Sequence, residues 1–208
     1  MKTIRILFLV ITLLICNTTL KAQNNDDFHL ENAANYLQQG KCEMANHDYN
    51  AYKEATGKTD AELESMIDKC KKGIPLRISA KIDSVWWEDA VQRNIEGIRI
   101  HVKFQTYNML HLWGNIAAYF YFNDGAALDD LNGKYKTENE KVSTGRDFRP
   151  SWENAIYDDF ALFIPYDELH LSSGNYDLKF NILILEYGME GSRKIANSEY
   201  VNITYTRK

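Results

Sequence analysis

The spacing of apolar residues changes once along this chain, from the period of a helix to the period of a strand. Residues 27–72 contain three segments in which apolar side chains recur every three or four positions, as on the buried face of an amphipathic helix. Gly40 and Gly57 separate the segments as turn residues, and Thr59 followed by Glu62 predicts a capping box at the start of the third helix. The three apolar faces comprise Leu30, Ala33, Ala34 and Leu37; Ala45, Tyr49 and Tyr52; and Leu63, Met66, Ile67 and Cys70.

After Pro75 apolar and polar residues alternate, which is typical of half-buried β-strands. In the first strand this alternation places Trp86 in the core and Trp87 on the outer face. Six or seven antiparallel strands predict a two-sheet β-sandwich of immunoglobulin-like architecture, with a closed barrel as the alternative. The fold class is therefore α+β. The predicted parts are a helical unit at residues 23–72, a linker at 73–75 and a β-sandwich domain at 76–208.

Residues 1–22 have the composition of a cleaved signal peptide. Two basic residues precede an apolar run from Ile6 to Ile15, and Ala22 is a small residue of the kind that signal peptidase prefers. Cys16 raises the alternative of a lipoprotein signal, but the bulky residue before it disfavours lipidation. We therefore predict cleavage near Ala22 and a mature protein that is periplasmic or secreted.

The charge of the chain excludes two classes of partner. Of 24 basic and 29 acidic residues, the signal peptide contains three basic ones, so the mature chain has 21 against 29 and a net charge of −8. Nucleic acid and anionic lipid bind to basic surfaces, and the sequence has no basic cluster beyond Lys69, Lys71 and Lys72. No apolar run after the signal is long enough to cross a membrane, so we expect no transmembrane segment in the mature chain.

Two cysteines remain after this cleavage, Cys42 and Cys70. If the second and third helices run antiparallel, Cys42 at the start of one lies beside Cys70 at the end of the other. In an oxidising compartment we predict a structural disulfide between them, with a contribution to stability of about 3 to 4 kcal/mol. The alternative is that Cys70 is a small buried thiol. A metal site is disfavoured, because the two cysteines and His47 lack the short paired spacing of zinc modules.

The middle of the helical unit resembles one tetratricopeptide repeat. Gly40, Ala45 and Tyr49 match the places at which that family has a turn glycine, a small residue and an aromatic residue. Cys42 and Tyr52 depart from the family pattern, and the resemblance covers about one repeat. It implies a helical hairpin that is used for binding rather than for catalysis.

The whole arrangement resembles exported Bacteroidetes proteins in which tetratricopeptide-like helices precede a β domain. The segments that carry this resemblance are Gly97 to Phe104, Tyr157 to Tyr166, and the end of the signal, Leu20-Lys21-Ala22-Gln23. It implies export and brings no known activity with it. Asp83-Ser84-Val85 also resembles the short O-glycosylation signal of Bacteroidetes, which makes Ser84 a candidate acceptor.

Several large aromatic residues are predicted on the outer face of the β domain. Flat rings with polar edges suit peptide backbones and sugar rings, and contiguous exposed aromatics mark binding surfaces. Two alternatives stay open, namely that the helical unit covers this face or that the aromatics are scattered over the surface. The predicted binding residues are Trp87, Tyr107, Trp113, Tyr119 and Tyr121.

No pattern in the sequence indicates catalysis. His101, His111 and His170 are isolated, and the sequence lacks Gly-x-Ser-x-Gly, His-Glu-x-x-His and a phosphate-binding glycine loop. One turn region offers oxygen ligands for Ca²⁺, but its spacing does not match an EF-hand, and ordinary turn use is favoured. We therefore expect no enzyme activity, no cofactor and no metal site. The turn region contains Asn123, Asp124, Asp129, Asp130 and Asn132.

These expectations favour a non-catalytic, exported binding protein of the cell envelope whose partner is a protein or peptide. The alternative is a carbohydrate-binding module that uses the aromatic strand face.

Overall fold

The computed structural model describes residues 27–188 and 191–207. The predicted signal peptide and Cys16 lie outside the described residues. By its internal contacts the chain divides into two compact units, a helical unit that ends at Leu76 and a β unit that begins at Arg77. In the described part of the chain, no helix combines the length and the apolar composition that crossing a membrane requires.

The helical unit contains the three predicted helices, α1 (27–38), α2 (Cys42–Thr56) and α3 (Ala61–Lys71). Their predicted apolar faces are buried, with Cys70 as the half-buried exception. Gly40 and Gly57 have positive φ angles of 67° and 68°, which a glycine adopts without the steric cost that a side chain would bring. The 3.6-residue period therefore identified both the helices and the faces that they bury.

The start of α3 differs from the prediction by one residue. The N-cap is Asp60, whose carboxylate accepts the backbone N–H of Leu63 at 2.9 Å, rather than Thr59. The hydroxyl of Tyr49 accepts the backbone N–H of Asp60 at 2.6 Å and donates to Glu64 at 3.0 Å. A residue of α2 thus fixes the first turn of α3, a tertiary contact that the local capping pattern does not contain.

A disulfide joins Cys42 at the start of α2 to Cys70 near the end of α3, as predicted. Their Cα atoms are 5.6 Å apart, and the two residues are 28 positions apart in sequence. The bridge closes a loop that contains nearly all of α2 and α3, so it limits the freedom of both helices in the unfolded chain.

The β unit consists of two antiparallel sheets, an arrangement consistent with the predicted β-sandwich. The strands are β1 (Ser79–Gln92), β2 (Ile95–Tyr107), β3 (Gly114–Phe122), β4 (Ser143–Phe148), β5 (Asn154–Pro165), β6 (Gly174–Gly188), β7 (Gly191–Asn197) and β8 (Val201–Arg207). One sheet has the strand order β1-β2-β5, and the other has the order β4-β3-β6-β7 with β8 also paired to β6. A short 3-10 helix, Tyr166–Leu169, follows β5.

The sequence pattern does not identify two of these strands, β4 and β7. Both are short and mostly polar, and only Thr144 and Phe148 of β4 are buried. Without an apolar alternation, neither segment shows the pattern by which a strand is recognised.

The core of the β unit lies between the inner faces of the two sheets. Phe104 of β2 and Phe148 of β4 meet with their ring centroids 5.3 Å apart. On the β4–β5 side, the Thr144 hydroxyl donates to the carbonyl oxygen of Phe163 at 2.8 Å, and Arg146 donates to that of Ala161 at 3.3 Å. These bonds satisfy backbone groups at the edge of β5 and connect the two sheets. The fully buried side chains include Ile98, Ile100, Val102, Phe104, Ile116, Phe120, Phe180, Ile182 and Ile184.

The predicted orientation of Trp86 and Trp87 is wrong, because a β-bulge interrupts β1. Ile82 pairs with Phe104 and Ser84 with Lys103, so Asp83 is an extra residue and the alternation changes phase after it. Trp87 therefore lies on the core-facing side of the sheet. Trp86 lies on the outer face and is 42% exposed.

Candidate functional site

The five predicted binding residues do not form one continuous surface. Tyr119 and Tyr121 are half-buried on the outer face of the five-stranded sheet, as the alternation of β3 predicts. Tyr107 lies on the outer face of the other sheet, whereas Trp87 lies on the opposite, core-facing side of that sheet. Trp113 precedes β3 and is 38% exposed, with the guanidinium of Arg149 5.6 Å from its ring. The prediction of a shared platform is corrected by the two-sheet topology and by the bulge in β1.

Tyr119 and Tyr121 line a groove of about 740 Å³ between the five-stranded sheet and the segment 134–142. We call it the tyrosine groove. Tyr135, from that segment, adds a third aromatic ring to its wall. Its lining also includes Ala117 and Gly145. The sequence pattern does not single out Tyr135, because this residue occurs in a polar segment without periodicity.

The hydroxyl groups of Tyr119, Tyr121 and Tyr135 have no hydrogen-bond partner among the described residues. Burial raises the pKa of all three, and the neighbouring Tyr200 adds to the effect at Tyr121. The hydroxyls therefore stay neutral and can each donate one hydrogen bond and accept others. Elsewhere in the β unit, Tyr166 and Tyr187 already donate to carboxylates.

Three lysine residues line the tyrosine groove. Lys134, Lys136 and Lys141 line it, against the single carboxylate of Glu138. Lys141 pairs with Asp129, and the ammonium of Lys134 is 3.8 Å from Glu168. The ammonium of Lys136 forms no ion pair within the part of the chain that the structure describes. Lys136 is therefore the lining lysine whose charge is not already paired with a carboxylate in the described residues.

The outer face of the three-stranded sheet has a different character, because ion pairs cover it. Arg99 contacts Glu88 at 3.1 Å, and Lys103 contacts Asp158 at 2.7 Å. The imidazole of His101 is 2.6 Å from Asp159 and stacks on Trp86 with ring centroids 5.1 Å apart. A face on which charges pair with one another is typical of a solvated surface, so Trp86 is an isolated exposed aromatic here.

Asp130, Glu168 and His170 form a cluster whose potential ligand atoms lie within 4.8 Å of one another. Asp130 is buried, which by itself raises its pKa, but hydrogen bonds from His170 and from the N–H of Gly133 outweigh burial and lower it. Asn132 donates to Glu168 at 2.7 Å. The same donor set could hold a metal ion, but these bonds already explain the cluster as a connection between a loop and the 3-10 helix.

Other residues of the acidic turn region make the backbone bonds expected of turns. The carboxylate of Asp124 accepts the N–H of Ala126, and the side chain of Asn132 accepts the N–H of Lys134, both at 2.9 Å. The imidazoles of His101 and His170 lie beside carboxylates, those of Asp159 and Asp130.

Ser84 lies in β1 directly after the bulge and is exposed on the outer side of the sheet. Its glycosylation stays a prediction.

No protein-family model matches this chain, and no curated protein matches it in sequence. Among solved structures, the major subunit of aggregative adherence fimbriae type I from Escherichia coli is 7% identical, with a TM-score of 0.29 over 62% of this chain and 95% of that one. A protein from Archaeoglobus fulgidus is 12% identical, with a TM-score of 0.32 over 62% of this chain and 98% of that one. Identities and TM-scores this low support no conclusion about function.

Proposed function

We propose that this protein is a non-catalytic binding protein that holds a segment of a protein or peptide partner in the tyrosine groove. The observation that carries the proposal is the set of three tyrosine rings around a concave surface, with hydroxyls that have no partner among the described residues. Tyrosine combines a large rigid contact area with a hydrogen-bonding tip, which suits both the apolar and the polar parts of a peptide.

The charge of the groove favours an acidic segment of the partner. Lys134, Lys136 and Lys141 outnumber the one lining carboxylate, and Lys136 has no carboxylate paired with it in the described residues. Attraction between opposite charges would also accelerate encounter with the partner.

The cellular setting is part of the same proposal. The predicted signal peptide and the observed Cys42–Cys70 disulfide support a periplasmic or secreted protein, because structural disulfides persist in oxidising compartments. The resemblances to a tetratricopeptide repeat, to an immunoglobulin-like sandwich and to exported Bacteroidetes proteins would place it in a bacterial cell envelope.

The proposal is tested by selecting peptides from a displayed random library on the full chain and measuring the affinity of the selected peptides. Tyr119→Ala combined with Tyr121→Ala should weaken binding at least about tenfold, since buried tyrosines are frequent hot spots. Lys136→Gln should weaken acidic peptides more than neutral ones. Tyr107→Ala, on the other sheet, is the matched control. Selected peptides that bind the double variant as well as the original chain would refute a role for this groove.

A carbohydrate partner is the second candidate, supported by the flat rings of Tyr119 and Tyr121 and by the neutral polar side chains of Asn115 and Asn139 in the groove. Trp87 no longer supports this function at the same surface, because it faces the core side of the other sheet. Screening the chain on a glycan array separates the two proposals. A neutral glycan that binds with an affinity insensitive to Lys136→Gln would favour the carbohydrate module.

A further inference from the structure

A second concave site lies in the β unit between two strands that each form the edge of a sheet. In the described strands β1 pairs only with β2, and β8 pairs only with β6. Residues of β1, β2, β8 and the 3-10 helix enclose a pocket of about 630 Å³. We call it the acidic aromatic pocket, after the lining residues Trp87, Asp89, Glu96, Tyr166 and Tyr205. It shares no lining residue with the tyrosine groove.

Three aromatic rings of this pocket are held in place by contacts of their own. Tyr166 and Tyr205 stack with ring centroids 4.5 Å apart and an interplanar angle of 12°. The indole N–H of Trp87 donates to the carbonyl oxygen of Asn202 at 3.2 Å, which connects β1 to β8. The rings therefore form a wall that needs little rearrangement to accept a ligand.

Two carboxylates give the pocket negative charge. Asp89 pairs with the fully buried Ile98, so it lies on the core-facing side of the sheet, where it accepts a hydrogen bond from the Tyr166 hydroxyl. Burial raises the pKa of Tyr166 strongly, and the charges of Asp89 and Glu96 raise it further. Neither carboxylate has a basic partner within the described residues. The basic side chain closest in sequence to Tyr205, Arg207, contacts Asp167 instead, at 3.3 Å.

The simplest alternative is that Asp89 only protects an edge. A charged residue on the inward side of an edge strand prevents that strand from pairing with another chain. This accounts for Asp89, but it does not account for Glu96 or for the aromatic wall that faces the same space. Aromatic faces and unpaired carboxylates together are the combination that attracts an organic cation.

We propose that the acidic aromatic pocket binds the ammonium or guanidinium group of a lysine or arginine side chain from a peptide or protein. The rings contact the alkyl stem and the face of the cation, and Asp89 and Glu96 balance its charge. A peptide is the favoured source because the pocket lies beside unpaired backbone groups of β1 and β8, which can bond to a peptide chain. This inference is independent of the tyrosine groove and does not rest on its function.

The test uses the full chain labelled with ¹⁵N, and follows the indole signal of Trp87 by nuclear magnetic resonance. The probes are the capped tripeptide Gly-Lys-Gly and the same tripeptide with neutral norleucine in place of lysine. We expect the lysine peptide to shift the Trp87 signal with saturation, and the norleucine peptide to leave it unchanged. Added salt should weaken the binding, because the carboxylates are solvent-accessible.

Two variants test the source of the attraction. Asp89→Asn removes the charge but retains an acceptor for the Tyr166 hydroxyl, and should weaken binding about fivefold. Glu96→Gln should weaken binding of the lysine peptide less than Asp89→Asn does. Because Glu96 is exposed, this variant should fold and allows the test even if Asp89→Asn folds poorly. Glu88→Gln, on the opposite face of β1, is the control and should have no effect.

Equal shifts with the lysine and norleucine peptides, or unchanged affinity in both charge-neutralised variants, would overturn the assignment of a cation site. Titration with n-butylammonium chloride distinguishes the source of the cation. Tighter binding of the peptide supports a peptide-borne side chain, whereas equal binding of the free amine would overturn that part of the proposal.

Discussion

Asp60 determines where the third helix begins, and its effect can be measured alone. Replacing it with alanine removes the acceptor for the Leu63 N–H and should lower the stability of the helical unit by about 1 kcal/mol. Thr59→Ala is the matched control, because Thr59 is exposed and is not the cap. Urea unfolding followed by far-UV circular dichroism measures both variants. An equal loss of stability in Thr59→Ala would contradict Asp60 as the cap and support Thr59, which the sequence pattern predicts.

Asp130 should make the stability of the β unit depend on pH. Hydrogen bonds from His170 and Gly133 outweigh the effect of burial and lower the pKa of this carboxyl, so the folded state favours its ionised form. The resulting stabilisation is present above the unfolded pKa, about 4, and is lost as pH falls through the lower folded pKa. Asp130→Asn should therefore be less stable at neutral pH and lose less stability between about pH 5 and pH 2.

Thermal unfolding at a series of pH values measures this dependence. Asp129→Asn serves as the control, since that carboxylate pairs with Lys141 at an exposed position. If Asp130→Asn follows the original chain throughout the acid range, the cluster with His170 does not determine the acid stability.

Residues on irregular segments were the least predictable from sequence. Tyr119 and Tyr121 were placed correctly because β3 alternates regularly, and they line the candidate groove. Tyr135, Tyr166 and Tyr205 line the two concave sites as well, but the first two lie outside regular strands. Their positions depend on how the chain folds back on itself, and no local period encodes that.

At the scale of elements, the bulge at Asp83 explains why regular alternation failed in β1. If Asp83 is deleted, Ile82 and Ser84 become neighbours and still pair with Phe104 and Lys103. All later residues of β1 would then keep both their partners in β2 and the side of the sheet on which their side chains lie. We expect this deletion to fold with a small shift in the unfolding midpoint. Deleting Glu88 instead should destabilise the β unit severely, because residues on one side of the deletion would exchange faces.

Acrylamide quenching of tryptophan fluorescence, together with urea unfolding, measures both deletions. The Asp83 deletion should retain the quenching of the original chain, since Trp86 stays outside and Trp87 inside. A large change in quenching for this deletion would show that the bulge itself holds the two tryptophans.

The helices were easier to predict than the strands for a physical reason. Each of the helices α1, α2 and α3 has several apolar residues at helical spacing on its buried face. The helical period can therefore be recognised even where one position of the face is atypical. In β4 and β7 most side chains are exposed, and pairing with neighbouring strands supplies their stability. A strand that is stabilised mainly by pairing with its neighbours does not need alternating apolar and polar residues in its own sequence.

At the scale of the whole molecule, the β unit presents two concave sites of opposite charge. Three lysines and one carboxylate line the tyrosine groove, and Lys136 is unpaired among the described residues, while Asp89 and Glu96 make the other pocket acidic. A partner with both an acidic and a basic segment can therefore bind at two sites. Because binding at both sites together raises the overall affinity, each site alone needs only modest affinity. The net charge of the chain is a sum over all residues and does not show how the charges are distributed over the surface. The composition therefore argued against nucleic acid and anionic lipid as partners, but it did not indicate a groove lined by lysines.

The disulfide constrains the helical unit, and the positions of the tryptophans make this testable. All tryptophans of the chain lie in the β unit, so their fluorescence reports on that unit, while far-UV circular dichroism reports strongly on the helices. The double variant Cys42→Ser and Cys70→Ser should destabilise the helical unit by about 3 to 4 kcal/mol, because the unfolded chain regains the freedom of the closed loop. The tryptophans are Trp86, Trp87, Trp113 and Trp152.

Both signals are followed during urea unfolding of the original chain, the double variant and the original chain in a reducing agent. The helical signal should be lost at lower urea in the last two samples, and to the same extent, whereas the fluorescence midpoint should not move. Equal displacement of both midpoints would show that the bridge stabilises the chain as one cooperative unit, because in that case unfolding of the helices would carry the β unit with it. A helical midpoint insensitive to reduction would instead mean that the packed faces of α2 and α3 suffice without the disulfide.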